Sequence, residues 1–327
     1  MRGWAGRLGL DSFLVGLLSM VALAWAAPAV GRSGGPLHLD LVATYGVALV
    51  FALYGLTLPP ERLKAGLLNW RLHLVVQLAT FALFPLVIWG GLRLFGGGLD
   101  PDLALGLFFL AALPSTISSS VAMTAIAGGN VAGAIFNASL SSLLGVVLTP
   151  LLVNAYLASA GAGMDLGRVL LKIMLLVVLP IVVGQILRRW LAGWAARHAA
   201  ALKHADRVTI LLIVLNSFSD SVADGVWDGF GPVSLAGVAG LSLVLMALVY
   251  ALLGGVSRML GFTREDTIAA RFCGTKKSLA AGVPMAKIMF GASPALGVVI
   301  LPIIVYHLLQ LIAAGILARR LGSARPA

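Results

Sequence analysis

Charge is what this sequence has least of. Only 11% of its 327 residues are Asp, Glu, Lys or Arg, while 60% are hydrophobic; soluble globular proteins average about 25% charged residues. A chain this poor in charge is read as an integral membrane protein. Acids are scarcer than bases, 12 against 23 Lys plus Arg, and the formal net charge is +11. Binding to nucleic acid would need a clustered basic face on a soluble module. Here the basic residues fall in short stretches between apolar runs, so no nucleic acid partner is expected and the lipid bilayer is. Cysteine is reduced to Cys273, which excludes an intrachain disulfide and a cysteine metal cluster. The short alternating strands of an outer-membrane barrel are absent too. No convincing HExxH, CxxC or G-x-S-x-G elbow is present, and Gly96-Gly97-Gly98 has no flanking strand to make it a phosphate cradle. Neither an enzyme nor a cofactor is expected.

What the chain does have is apolar runs of helical length. A membrane span needs about 20 residues, and ten spans can be drawn: Phe13–Val30, Leu39–Leu58, Leu72–Phe95, Leu103–Ala127, Val131–Leu157, Val169–Trp190, Val208–Val222, Val233–Leu253, Asp266–Phe290 and Ala295–Ala318. The first 31 residues share features with a cleavable signal peptide, but the first span is read as retained. The seventh is short and polar, and the basic stretch Trp190–Arg207 before it is expected to lie along the membrane surface. Fifteen Lys and Arg residues flank one side of this scheme, among them Arg2, Arg7, Arg62, Lys64, Arg71, Arg188, Arg189, Arg197, Arg258, Arg264 and Arg325. Four flank the other: Arg32, Arg93, Arg168 and Lys287. The positive-inside rule then places both termini in the cytoplasm and the chain, multi-pass, in the cytoplasmic (inner) membrane.

Two spans are interrupted. The fourth carries Leu113–Asn130, LPSTISSSVAMTAIAGGN, where Pro114 precedes Ser115, Thr116, Ser118, Ser119 and Ser120. The ninth carries Arg271–Gly282, RFCGTKKSLAAG, with Gly274, Thr275, Lys276, Lys277 and Ser278 near its centre. A lysine at mid-membrane costs about 2.5–3.5 kcal/mol on insertion scales, so intramembrane charge is read as functional. Freed backbone groups at such breaks must be buried in protein or line a cavity. Ser120 and Ser278 lie 158 positions apart, near the spacing of spans one and six, which suggests inverted five-helix repeats over residues 1–157 and 158–327 with the site between them. Gln77 and Asn137 are further polar groups in apolar spans. Interhelical bonding and ion binding are both open for Asn137.

The stretches LPSTISSSVAMTAIAGGNVAGAIFNASLSSLLGVVLTPLL and RFCGTKKSLAAGVPMAKIMF resemble the bile acid:sodium symporter superfamily. They are most similar to its bacterial branch related to the orphan seventh member of vertebrate solute carrier family 10. The resemblance implies an all-α, ten-helix fold: a panel of spans 1, 2, 6 and 7, and a core of spans 3–5 and 8–10 in which broken helices four and nine cross. It implies a secondary transporter. Where studied members carry a glutamate and a glutamine for sodium, this chain has Phe272 and Lys276. Ser119, Ser120 and Gln77 match other oxygen-bearing positions of the family, so sodium at Ser119, Ser120 and Asn137 stays open beside proton coupling. A lysine ammonium at Lys276 would stand where a cation sits. The expected solute is a small organic anion moved by alternating access, with altered or absent sodium coupling. The alternatives are a non-transporting regulator, a sodium-coupled symporter and a metalloid permease.

Overall fold

The computed structural model describes residues 12–57, 69–159, 161, 165–229, 231–291 and 293–323. Arg2, Arg7, Arg62, Lys64 and Arg325 of the basic side lie outside them. The described residues are helical and contain no strand, and six of their helices are long and apolar enough to cross a membrane. In chain order the helices are α1 (Ser12–Ala26), α2 (Leu39–Thr57), α3 (Trp70–Phe95), α4 (Pro101–Ala112), α5 (Ser118–Ala127) and α6 (Val131–Ser159). They continue as α7 (Gly167–Arg197), α8 (Ala199–Ala223), α9 (Pro232–Met259), α10 (Arg264–Gly274), α11 (Leu279–Phe290) and α12 (Leu296–Ser323).

Local chemistry sets the boundaries. Asp100 caps α4 by accepting from the N–H groups of Asp102 and Leu103 ahead of Pro101, and Thr263 caps α10 by accepting from Asp266; such side-chain acceptors satisfy otherwise orphaned donors. Gly128, at φ 71°, ends α5 in the left-handed conformation that glycine adopts without cost. The stretch Trp190–Arg207, expected along the membrane surface, is helical on both sides of His198. Helix α7 runs unbroken through Arg197, and α8 starts at Ala199 and spans 25 residues. Alanine-rich sequence with no Pro there favours continued helix, and one turn-like residue, His198, separates the two.

Helices α1, α2, α7 and α8 pack on one another, and α3, α4, α5, α6, α9, α10 and α12 form a second set; α8 touches α11 and α12 where they meet. The α2–α7 contact is backbone on backbone. A Cβ at Gly55 would run into the Ile181 carbonyl, and one at Gly184 into the Ala52 carbonyl; small residues permit such close approach between membrane helices. At one end of the bundle Arg32 pairs with Asp224 at 3.2 Å, Ser33 donates twice to Asp220, and Ser221 Oγ accepts from Gly297 at the start of α12. At the far end of α12, Arg264 donates to the Leu321 carbonyl, while Asn69 and Asn130 both donate to Asp266 at 2.8 and 2.7 Å.

Candidate functional site

The fourth and ninth apolar runs are both broken, and the breaks touch. Residues 113–117 separate α4 from α5, and residues 275–278 separate α10 from α11. Ser278 N donates to the Pro114 carbonyl at 2.9 Å, Ser115 Oγ to the Cys273 carbonyl at 2.6 Å, and Ser120 Oγ to the Phe272 carbonyl at 3.4 Å. Glycines allow the approach. A Cβ at Gly282 would stand 2.6 Å from Leu113 Cδ1, one at Gly145 2.8 Å from Pro114, and one at Gly274 2.6 Å from Leu253 Cδ1.

Buried backbone carbonyls need partners, and those of the first break can be followed one by one. Leu110 accepts from Leu113 N at 3.3 Å, Ala112 from Thr149 Oγ1 at 2.8 Å, and Pro114 from Ser278 N. Pro114 has no N–H to offer, and Ser115 N is turned onto Ser141 Oγ at 2.9 Å. The carbonyls of Ala111 and Leu113 are therefore left over at the negative end of α4. Lys277 Nζ donates to both, at 2.6 and 2.9 Å, and also to the Thr80 carbonyl at 2.8 Å. Thr80 is free for the same reason. Helix α3 passes through a π turn at Ala79–Leu83, in which Phe84 N reaches back five residues to the Ala79 carbonyl. The next donor in that register would be Pro85, which has none. The Phe84 ring lies 4.3 Å from the same ammonium, at cation–π distance.

The two lysines differ sharply. Lys277 is 0% and Lys276 1% exposed, yet Lys276 Nζ has no hydrogen-bond partner. Neither amine bonds to a carboxylate among the described residues. The amine that the three carbonyls surround is that of Lys277, while the resemblance sets the Lys276 ammonium where a cation sits. The second break is braced from α12: Gln310 exchanges both backbone bonds of Lys277, at 2.9 and 2.8 Å, and the Tyr306 hydroxyl donates to the Thr275 carbonyl at 2.6 Å. Gln310, Tyr306, Phe84 and the Thr80 carbonyl were not among the expected residues. Gln310, a polar side chain within an apolar span, and Pro85, five residues past Thr80, are the signals that mark them.

The remaining expected residues divide. Thr116 Oγ1 lies 2.6 Å from Ser119 Oγ and 3.1 Å from Ser120 Oγ, and Ser115 Oγ 3.4 Å from Ser120 Oγ, making one hydroxyl cluster at the start of α5. Ser118 points outward and is exposed. Thr275 Oγ1 turns back to the Arg271 carbonyl, and Ser278 caps α11 by accepting from Ala281 N at 3.2 Å. Gln77 and Asn137 bond to each other: Gln77 Nε2 donates to the Asn137 carbonyl and Oδ1 at 3.1 and 3.3 Å, and Asn137 Nδ2 to Gly133 O at 2.9 Å. They tie α3 to α6. A cavity of about 680 Å³ opens between α2 and α7 on one side and α4 and α11 on the other; Asp40, Tyr45, Lys172, Lys287 and Phe290 line it.

Residues 11–323 match the family described as the SBF-like CPA transporter family. Among curated relatives, an uncharacterized protein of Pseudomonas aeruginosa is 41% identical over 313 residues, covering 95% of this chain and 92% of the relative. YfeH of Escherichia coli (strain K12) is 40% identical over 316 residues, with the same two coverages. Sodium/bile acid cotransporter 7 of Danio rerio is 33% identical over 321 residues, covering 96% of this chain and 94% of the relative.

Proposed function

This chain belongs to the SBF-like CPA transporter family, within the bile acid:sodium symporter superfamily, and from that membership we propose that it is a secondary carrier moving a small organic anion across the cytoplasmic membrane without sodium at its crossover. It is a multi-pass membrane transporter, so its solute is a small molecule and its surroundings are lipid. The observation that carries the proposal is the meeting of two helix breaks around two fully buried lysines that no carboxylate among the described residues neutralises. Uncompensated positive charge inside a low-dielectric protein is costly and attracts an anion.

In this reading Lys277 is fixed and Lys276 is the free amine that meets the solute or carries a proton. The cavity bearing Lys172 and Lys287 is the outer mouth, lying between the helix set α1, α2, α7 and α8 and the rest. The two sets act as panel and core of two inverted five-helix repeats, ten helices counted with each broken pair as one, and alternate access by moving against each other. Both termini are cytoplasmic, with the Arg32–Asp224 end outside. Cys273, buried and donating to the Ala134 carbonyl at 3.7 Å, is badly placed to receive a thiophilic metalloid.

Uptake into proteoliposomes tests the reading, using a panel of labelled organic acids with and without sodium and with and without a pH gradient. Accumulation of at least one acid at equal rates in sodium and choline buffers is the expected result. Strict sodium dependence would remove the coupling part. Silence across the panel, with the protein shown to be folded, would favour the regulator.

A further inference from the structure

Lys277 behaves less as a side chain that happens to be buried than as an ion in a finished site. Its ammonium has three protons, and three carbonyl oxygens, those of Thr80, Ala111 and Leu113, receive them at 2.6–2.9 Å. The Phe84 ring closes a fourth side at 4.3 Å. None of the three oxygens depends on Lys277 for its position. Thr80 is held in the π turn ahead of Pro85, and Ala111 and Leu113 at the end of α4, where Pro114 and the Ser115–Ser141 bond have withdrawn the usual donors. The backbone that delivers the ammonium is clamped separately, through both its N–H and its carbonyl, by Gln310.

We infer that the carbonyls of Thr80, Ala111 and Leu113 with the Phe84 ring form a binding site for a monovalent ammonium-type cation, which this chain fills permanently with Lys277. Removing the side chain beyond Cβ empties the site without dismantling it, and a free ammonium or primary alkylammonium ion then takes the place. The inference rests on the crossover reading of the proposed function, but it concerns binding and is tested without transport.

The test uses the full-length protein in lipid nanodiscs and compares wild type with Lys277→Ala and Lys277→Met. Melting midpoints are followed against methylammonium chloride, with choline chloride at equal ionic strength as the control. Lys277→Ala is expected to melt below wild type and to recover by roughly 2 °C when methylammonium reaches about ten times its dissociation constant. Wild type is expected to respond equally to both salts. Lys277→Met fills the space without a donor, so it is expected to melt low and stay unresponsive. Equal behaviour of Lys277→Ala in the two salts overturns the inference, as does a Lys277→Met protein as stable as wild type. If Lys277→Ala does not accumulate, the methionine variant alone still decides. Rescue by methylammonium in a protein that carries no organic acid would leave the site standing and sink the transport reading; uptake without rescue would do the reverse.

Discussion

Lys276 and Lys277 are neighbours in sequence with nearly equal burial, and the structure gives them opposite energetic signs. Lys277 satisfies three carbonyls that have no other donor, while Lys276 leaves an amine buried without a partner. A buried polar group left unpaired costs about 1–3 kcal/mol. Lys276→Met is therefore expected to raise the melting midpoint of the purified protein while lowering solute uptake at least tenfold, the trade expected where a destabilising group is kept for function. A fall in stability together with unchanged uptake would assign Lys276 to packing instead. Gln310 is the complementary case. Gln310→Leu keeps much of the volume but strands the N–H and carbonyl of Lys277 in the interior, so a loss of about 1–3 kcal/mol is expected, read as a lower denaturation midpoint in detergent.

At the level of helices, the breaks matter because each shows exposed carbonyls to a neighbour. Helix α4 ends on Lys277, the last turn of α10 is held by the break before α5 through Ser115 onto Cys273, and the segment after α10 is held by α12 through Tyr306 onto Thr275. The α2–α7 pair works differently, since it has no room for side chains at Gly55 and Gly184. Leucine at Gly184 would force the two backbones apart, and overpacking of this kind costs about 1–3 kcal/mol or more. The expected outcome is reduced accumulation of folded protein on size-exclusion chromatography. Leucine at Gly237, on α9 with nothing within 4 Å of its Cβ position, should be neutral and serves as the control.

Over the whole molecule, the proposed orientation assigns one end of the bundle to each side of the membrane. Arg32 and Asp224 meet at one end and Arg264 and Leu321 at the other. Single cysteines placed at Arg32 and Arg93 are expected to react with an impermeant reagent added outside cells, and those at Arg197 and Arg264 only after permeabilisation. The background is Cys273→Ser, chosen because the native thiol is buried. Labelling in the reverse order would invert the orientation and move the Lys172–Lys287 cavity to the cytoplasmic face.

Composition by itself determined the membrane class, because 11% charge cannot clothe a soluble surface. Apolar runs and Pro114, Gly274 and the twin lysines marked where helices run and where two of them break, since span length and proline's missing donor are local properties. The end of α7 was not legible, because nothing in the composition of Trp190–Arg207 says that one helix stops at Arg197 and the next starts at Ala199. Nor could the sequence separate Lys276 from Lys277, or show that the Gln77 amide donates to Asn137. Which lysine meets carbonyls depends on the π turn in α3, the end of α4 and Gln310 of α12 arriving together. Those groups lie between 33 and 197 positions from Lys277 in the chain. Only packing brings the carbonyls of Thr80, Ala111 and Leu113 within 3 Å of one ammonium and sets Gln310 against the Lys277 backbone.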